Sequence, residues 1–228
     1  AVNSANKSLK IVLQENAIQQ SEVIIYGTRA NSETPTAHQT LNKKDIEKLN
    51  IGQDIPFILN QTPSLVVSSD AGAGVGYTDM RIRGTDVTRI NVTINGIPLN
   101  DPESQGVYWV NMPDFSSSLQ SIQVQRGVGT STNGSAAFGA SVNLQTNNNA
   151  NEAYAETNVS YGSFNTQKYT ALFGTGLLNN HWAFDGRFSK ISSDGYIDRA
   201  YSDLTSYYLS GGYYGKISTI KAVHFSGK

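Results

Sequence analysis

"SIQVQRGVGTSTNGSAAFGASVNLQT" spans Ser121 to Thr146. Its two ends alternate as β-strands do, and its middle is glycine, serine, threonine and alanine. A glycine-rich turn after a strand is a common phosphate cradle, so that chemistry is tested first. Gly129 and Gly134 stand at P-loop spacing, but Ser135 occupies the place of the required lysine. No lysine occurs between Lys48 and Lys168, so no near neighbour replaces it. The dinucleotide fingerprint begins with Gly127 and Gly129 and then meets Thr132 instead of a third glycine, with strand-like sequence following. The small residues fit another purpose, a backbone that turns tightly in a crowded place.

Bulk chemistry narrows the field. The 228 residues carry a net charge of -1, which gives no electrostatic case for a nucleic-acid partner. Charged residues are only 15% of the chain, and glycine is abundant at 21 residues. No run approaches the 18 apolar residues of a membrane helix. With no cysteine, thiol catalysis, disulfides and cysteine zinc sites are excluded, and an oxidising envelope is compatible. His38, His181 and His224 have no metal-ligand spacing, and no G-x-S-x-G elbow occurs. Asp101 and Glu103 read as solvated loop acids rather than an acid–base pair. No catalytic residue, bound metal or cofactor is expected. The start, "AVNSANKSLK", lacks the apolar core of a signal peptide, and the chain reads as beginning in mid-domain, as a fragment or processed form would.

The composition changes near residue 150. Of 22 aromatic residues, 15 lie between Asn151 and Lys228, after the asparagine-rich joint "TNNNANEA". In "EAYAETNVSY", Ala153, Ala155, Thr157, Val159 and Tyr161 share one face against Tyr154, Glu156, Asn158 and Ser160. "HWAFDGRFSK" sets Trp182, Phe184, Gly186 and Phe188 against Asp185, Arg187 and Ser189, and "QKYTALFGT" groups Tyr169, Ala171 and Phe173. Alternating runs of about ten residues fit either membrane-crossing barrel strands or a soluble β-sandwich. Four or five such strands are present, whereas a membrane barrel needs at least about eight. An open sheet edge in lipid leaves backbone groups unpaired at several kcal/mol each, so as membrane strands they begin a longer barrel.

Before residue 150 the pattern is mixed. "KSLKIVL" (7–13) alternates as a strand, and "EVIIYGTRA" (22–30) is extended, β-branched and set in polar sequence through Thr40. "NKKDIEKLN" (42–50) predicts an amphipathic helix with Ile46 and Leu49 inward. "DIPFILNQ" (54–61) predicts a second helical turn, capped by Asp54 with Pro56 near its start. "SLVVSS", "DMRIRG", "RINVTING", "SIQVQRG" and "ASVNLQT" are strand candidates, and "MPDFSSSLQ" predicts a helix with Pro113 at its first turn. Long glycine-bearing loops, "SSDAGAGVGYTD" and "PLNDPESQGVYWVN", separate them.

"RIRG" (81–84), "VTINGIPLND" (92–101) and the Ser121–Thr146 stretch, in that order and spacing, resemble the plug domain of TonB-dependent outer-membrane receptors. The likeness covers roughly residues 22–148, and the strands after 151 resemble the start of that family's barrel. Val128, Asn133 and Ala140 depart from the family's usual proline, tyrosine and second glycine, while Arg126, Gly127, Gly134 and Gly139 keep the framework. The resemblance implies an α+β plug, a small mixed sheet with short helices, followed by antiparallel strands of an incomplete transmembrane β-barrel. It divides the chain into 1–21, similar to the tail of a carboxypeptidase-regulatory-like domain of Bacteroidetes receptors, a TonB box-like segment at 22–30, a plug at 31–148 and barrel strands at 151–228.

The same resemblance implies a receptor in the outer membrane that imports a scarce nutrient with energy from the TonB complex. Its partners are the TonB C-terminal domain on the periplasmic side, outer-membrane lipid and an extracellular ligand. Glu22, Val23, Ile24, Ile25 and Tyr26 match the TonB box, and an uncommitted β-branched strand suits strand addition to another chain. A plain linker strand under the plug is the other reading. Arg83 and Arg126 match arginines that pair with barrel glutamates in the family, a latch between plug and barrel, or else they pair within the plug. Outward loops 69–78, 84–88 and 100–109 carry Tyr77, Asp86, Asp101, Glu103, Gln105, Tyr108 and Trp109 as ligand contacts, with Tyr108 and Trp109 equally readable as core. A metal chelate, such as a ferric siderophore, haem or cobalamin, is the first expectation for cargo. A glycan or peptide is the second, and a non-transporting β-rich surface adhesin is the alternative from another class.

Overall fold

The computed structural model describes residues 29–128, 137–147 and 152–228. The strand expected over 7–13, the segment Glu22–Tyr26, and Gly129, Gly134 and Ser135 lie outside the described residues. Among the described residues the chain forms an α+β plug followed by an antiparallel meander.

In the plug, Asn42 caps α1 (Lys43–Leu49) through a reciprocal pair with Asp45, and Ile46 is buried as its spacing predicts. Its sheet has the order β1-β6-β7-β4-β5: β1 (His38–Asn42), β4 (Ile90–Ile94), β5 (Ile97–Pro98), β6 (Leu119–Arg126) and β7 (Ala140–Thr146). The β4–β7 pair is parallel and the others antiparallel, so the sheet is mixed. Ile90, Val92, Ile122, Val124, Val142 and Leu144 bury one face in the main core with Ile46, Phe115 and Trp109. Burying each such aliphatic side chain stabilises the fold by about 1.5–3 kcal/mol. A separate hairpin joins β2 (Leu65–Ser69) to β3 (Thr78–Ile82) across the apical loop 70–77.

One strand is not among the expected ones: His38–Asn42, which pairs with β6 at the sheet edge. Two expectations are corrected here. The predicted helix at "MPDFSSSLQ" is a single 3-10 turn, Phe115–Ser118, and Leu119 already belongs to β6. Its N-cap, Asp114, has φ 52, and a phenylalanine and three serines follow before the β-strand period takes over. Asp54 does stand at the N-cap of α2 (Ile55–Ile58), but its side chain makes no cap bond; it accepts a hydrogen bond from the Thr78 hydroxyl at 2.8 Å.

The meander runs β12-β11-β10-β9-β8: β8 (Ala153–Gly162), β9 (Thr166–Thr175), β10 (Trp182–Ser193), β11 (Ser202–Tyr214) and β12 (Thr219–Gly227). Alternation sorts its faces as the sequence suggests. Tyr169, Phe173, Trp182, Phe184 and Phe188 point out and are exposed, while Lys168, Thr170, Arg187 and Ser189 are buried against the plug and Asp185 is buried beside Tyr154. Apolar-out and polar-in is the pattern of barrel strands in lipid. Short turns close one end, with Asn179 and Asn180 both at positive φ between β9 and β10. The longest connection, 194–201, lies at the other end beside the tight turn 163–165 and meets the apical loop, where the Tyr196 N–H donates to Ala71 O at 2.8 Å. Longer loops mark the extracellular rim of such barrels, which places the apical loop outward.

Candidate functional site: the apical pocket and the plug–barrel seam

The β2–β3 hairpin and the loop 99–108 wall a pocket of about 270 Å³ at this outward end. Ser68, Asp70, Tyr77, Asp79, Tyr108 and Trp109 are among its lining residues. Tyr77 and Tyr108 are exposed there, with relative exposures of 65% and 50%, whereas Trp109 is a core residue at 2%. The two aromatics that sequence treats alike thus divide, one under the loop and one on it. Burial raises the Asp79 carboxyl above its ordinary range.

The other expected contacts are loop-forming. Asp101 Oδ2 accepts from the Ser104 N–H at 2.7 Å and from the Glu103 N–H at 3.2 Å, and this lowers its pKa. Gln105 follows at φ 58. Asp86 accepts from the Thr88 hydroxyl and N–H, which lowers its pKa, and so caps the 3-10 turn Val87–Arg89. Asp101 borders a second concavity with Tyr108, and Gly106, Val107 and Tyr108 line both.

Arg83 and Gly84, at φ 52 and φ 77, are the two central residues of a hairpin turn closed by the Ile82–Thr85 bridge. Gly127, at φ 93, backs onto this turn, and a Cβ there would lie 2.6 Å from Arg83 Nη1. The two expected latch positions are therefore neighbours. Arg126 Nη1 donates to Pro63 O at 3.2 Å within the plug, and its Nε is buried without a partner.

The charge pairs that join plug to strands, among the described residues, involve a different side chain. Asp114 is 1% exposed and receives Lys168 Nζ at 2.8 Å and Arg187 Nη1 at 3.5 Å, both from inward positions of β9 and β10. The hydroxyls of Thr170 and Ser189 each donate to Asp114 Oδ2 at 2.6 Å, and Ser117 and Asn50 reach Oδ1. Arg187 also donates to the carbonyls of Pro113 and Asp114, and the Ser206 hydroxyl donates to Pro113 O at 2.6 Å. Burial pushes the Asp114 carboxyl up, but the Lys168 and Arg187 cations and these donors outweigh it and hold it down at about 2. Polarity is thus the reverse of the expected latch: a plug carboxylate on barrel cations. Sequence shows each piece, since Lys168, Thr170, Arg187 and Ser189 share the inward parity, but not that "MPD" meets them.

Residues 30–141 match the family model described as TonB-dependent Receptor Plug Domain. The vitamin B12 transporter BtuB of Vibrio vulnificus is 28% identical over 156 residues, which cover 68% of this chain and 25% of that protein. The pyoverdine outer membrane receptor FpvA of Pseudomonas aeruginosa superposes with a TM-score of 0.67 at 14% identity, over 85% of this chain and 28% of that one. The siderophore receptor PirA of Acinetobacter baumannii gives 0.63 at 18%, over 83% and 31%. The chain spans about a quarter to a third of the length of these relatives.

Proposed function

We propose that this chain belongs to the TonB-dependent receptors of the outer membrane and serves energy-coupled import of a metal chelate. The supporting observation is the outward pocket between the apical loop and the loop 99–108, on a plug whose matched relatives include a vitamin B12 transporter and siderophore receptors. Tyr77 and Tyr108 offer ring surface to the cargo in the pocket, Asp101 borders the adjoining concavity, and Asp86, Glu103 and Gln105 hold polar groups on the neighbouring loops, outside the pocket lining. Trp109 supports the pocket floor. Glu22–Tyr26 are the strand that TonB adds to its own sheet. Arg83 and Arg126 are reserved for carboxylates on barrel strands after Lys228, beside the Asp114 cluster. No catalytic step is assigned, and transport moves the cargo without covalent change.

A second reading rests on charge. The pocket lining includes Asp70 and Asp79 and no lysine or arginine, which favours a neutral, hydroxyl-rich glycan or a peptide over an anionic chelate. Uptake of radiolabelled cyanocobalamin and of a ferric hydroxamate by cells with the full receptor, against cells with residues 22–26 deleted, decides between them. Uptake of either probe that the deletion abolishes, with surface binding kept, supports the first reading. Growth on oligosaccharide or peptide that needs residues 22–26, without chelate uptake, supports the second. Surface binding with no dependence on that segment in any uptake assay would leave the adhesin.

A further inference from the structure

The face of the plug sheet away from the core is built from amides and hydroxyls. Across β1, β6, β7 and β4 one row reads Thr40, Gln123, Asn143, Thr93, and the next reads His38, Gln125, Ser141, Asn91. From Gln123 to Asn91 these positions on the three inner strands are nearly or fully buried, Ser141 at 0%. Such a surface has little to offer an apolar partner and much to offer a bare peptide backbone, whose donors and acceptors it can pair.

Arg29 and Ala30 use it in that way. The Gln123 side chain amide accepts the Ala30 N–H at 2.7 Å and donates to the Ala30 carbonyl at 2.9 Å, as a neighbouring strand would. Its Nε2 also donates to Thr40 Oγ1, and Gln125 Nε2 donates to its Oε1, so the amide is fixed in orientation. The Arg29 guanidinium forks onto Ser121 Oγ at 2.9 Å, Gln145 Oε1 at 3.2 Å and the Asn143 carbonyl at 3.1 Å. Nδ2 of Asn143 and Oγ of Ser141 are buried on the same face without partners, so further pairing capacity remains there. From Ala30 the chain turns through residues 31–36 and returns as edge strand β1 on β6.

We propose that this amide face is a docking surface for the chain's own segment at Arg29–Ala30, and that the dock sets the reach of the segment Glu22–Tyr26 toward its periplasmic partner. This rests on the assignment of 22–26 above. With Ala30 held, Tyr26 is four residues from its anchor, at most about 14 Å of extended chain. With the dock open the anchor becomes His38, twelve residues away and about 42 Å. The partner thereby gains access when the clasp opens, while β1 and the sheet stay intact. Gln123 and Arg29 set this access without themselves contacting the partner.

The test uses the full receptor in detergent with no cargo, a nitroxide on Ser32→Cys in a single-cysteine background, and purified TonB C-terminal domain. Arg29→Ala leaves the sheet untouched, and Gln123→Leu keeps the side chain's size. Both are expected to mobilise the label and to tighten partner binding roughly five- to tenfold, the scale of a few buried hydrogen bonds removed from the docked state. An immobile label in both variants overturns the dock. A mobile label with unchanged affinity overturns the control of reach, provided that deleting 22–26 abolishes binding in the parent. If that deletion leaves binding intact, the assignment of 22–26 fails and the control of reach fails with it, while the label still decides whether Gln123 and Arg29 hold the segment.

Discussion

Lys168 Nζ lies 2.8 Å from Asp114 Oδ1, with the lysine side chain 3% exposed and the aspartate side chain 0%. One residue belongs to the second strand of the meander and the other to the turn that precedes β6. Removing water from both charges is costly, so the pair stands only because Arg187, Thr170, Ser189, Ser117 and Asn50 complete its bonding. Losing one partner should cost more than losing both. Asp114→Asn strands two buried cations and is expected to destabilise plug docking by about 3–5 kcal/mol. Asp114→Asn with Lys168→Met should cost less than the two single changes summed. Plug protection from protease in outer-membrane vesicles measures each variant, and strict additivity would remove the coupling.

Acid acts on the same carboxylate. Asp114 in the folded chain titrates near 2 against an ordinary value of 3.8, so its ionised form favours the fold. A depressed folded pKa contributes stability that is full above about pH 4 and is lost as pH falls toward 2. The shift corresponds to about 2 kcal/mol. Urea midpoints of the wild type should fall across that window, and Asp114→Asn should show a weaker fall from a lower starting point.

Asp54 has the opposite sign. Burial raises its carboxyl from 3.8 to about 7, against the opposing hydrogen bonds of Thr78 and the Gly76 backbone. A raised carboxyl favours the fold in its protonated form, so its contribution is full below about pH 4 and declines as pH rises through 7. Asp54 also fixes the apical loop, since its N–H donates to Gly74 O at 2.9 Å. Asp54→Asn keeps an acceptor for the Thr78 hydroxyl and carries no charge. It should raise thermal stability at pH 8 and leave it nearly unchanged at pH 4. Equal shifts at both pH values would show that ionisation of Asp54 is not the cause.

Local physics made much of this legible in sequence. The barrel faces follow from two-residue periodicity, and Tyr169, Phe173, Trp182 and Phe188 point outward as that period requires. Helix α1 follows from the spacing of Ile46 and Leu49 and the capping pair Asn42 and Asp45. Strand β1 did not, because "HQTLN" is an edge strand whose stability comes from β6, eighty residues away in register. The Asp114 cluster was hidden for the same reason, its six partners lying in four separate stretches of chain. "MPDFSSS" looked helical because proline and serine suit a first turn, whereas the tertiary bonds to Asp114 hold it as a 3-10 turn. The signal that could have found it is a carboxylate in a segment otherwise free of charge from Glu103 to Arg126, facing a strand pair with inward Lys168 and Arg187.

Arg126 gives the sharpest comparison with Asp114. Its described hydrogen bond is one donation to Pro63 O at 3.2 Å, and its Nε is buried without a partner. If that bond is its whole contribution, Arg126→Ala should cost about 1 kcal/mol, well below Asp114→Asn. If a barrel carboxylate beyond Lys228 completes the guanidinium, the cost should reach about 3–5 kcal/mol, since a buried charge would then be left alone. The unpartnered Nε and the position beside the Arg83–Gly84 turn favour the larger value. Protease protection of the plug and entry of a large antibiotic through the barrel, compared for Arg126→Ala, Arg83→Ala and Asp114→Asn in the full receptor, separate the two. Plug protection unchanged from wild type in Arg126→Ala would confine the latch to the Asp114 side of the seam.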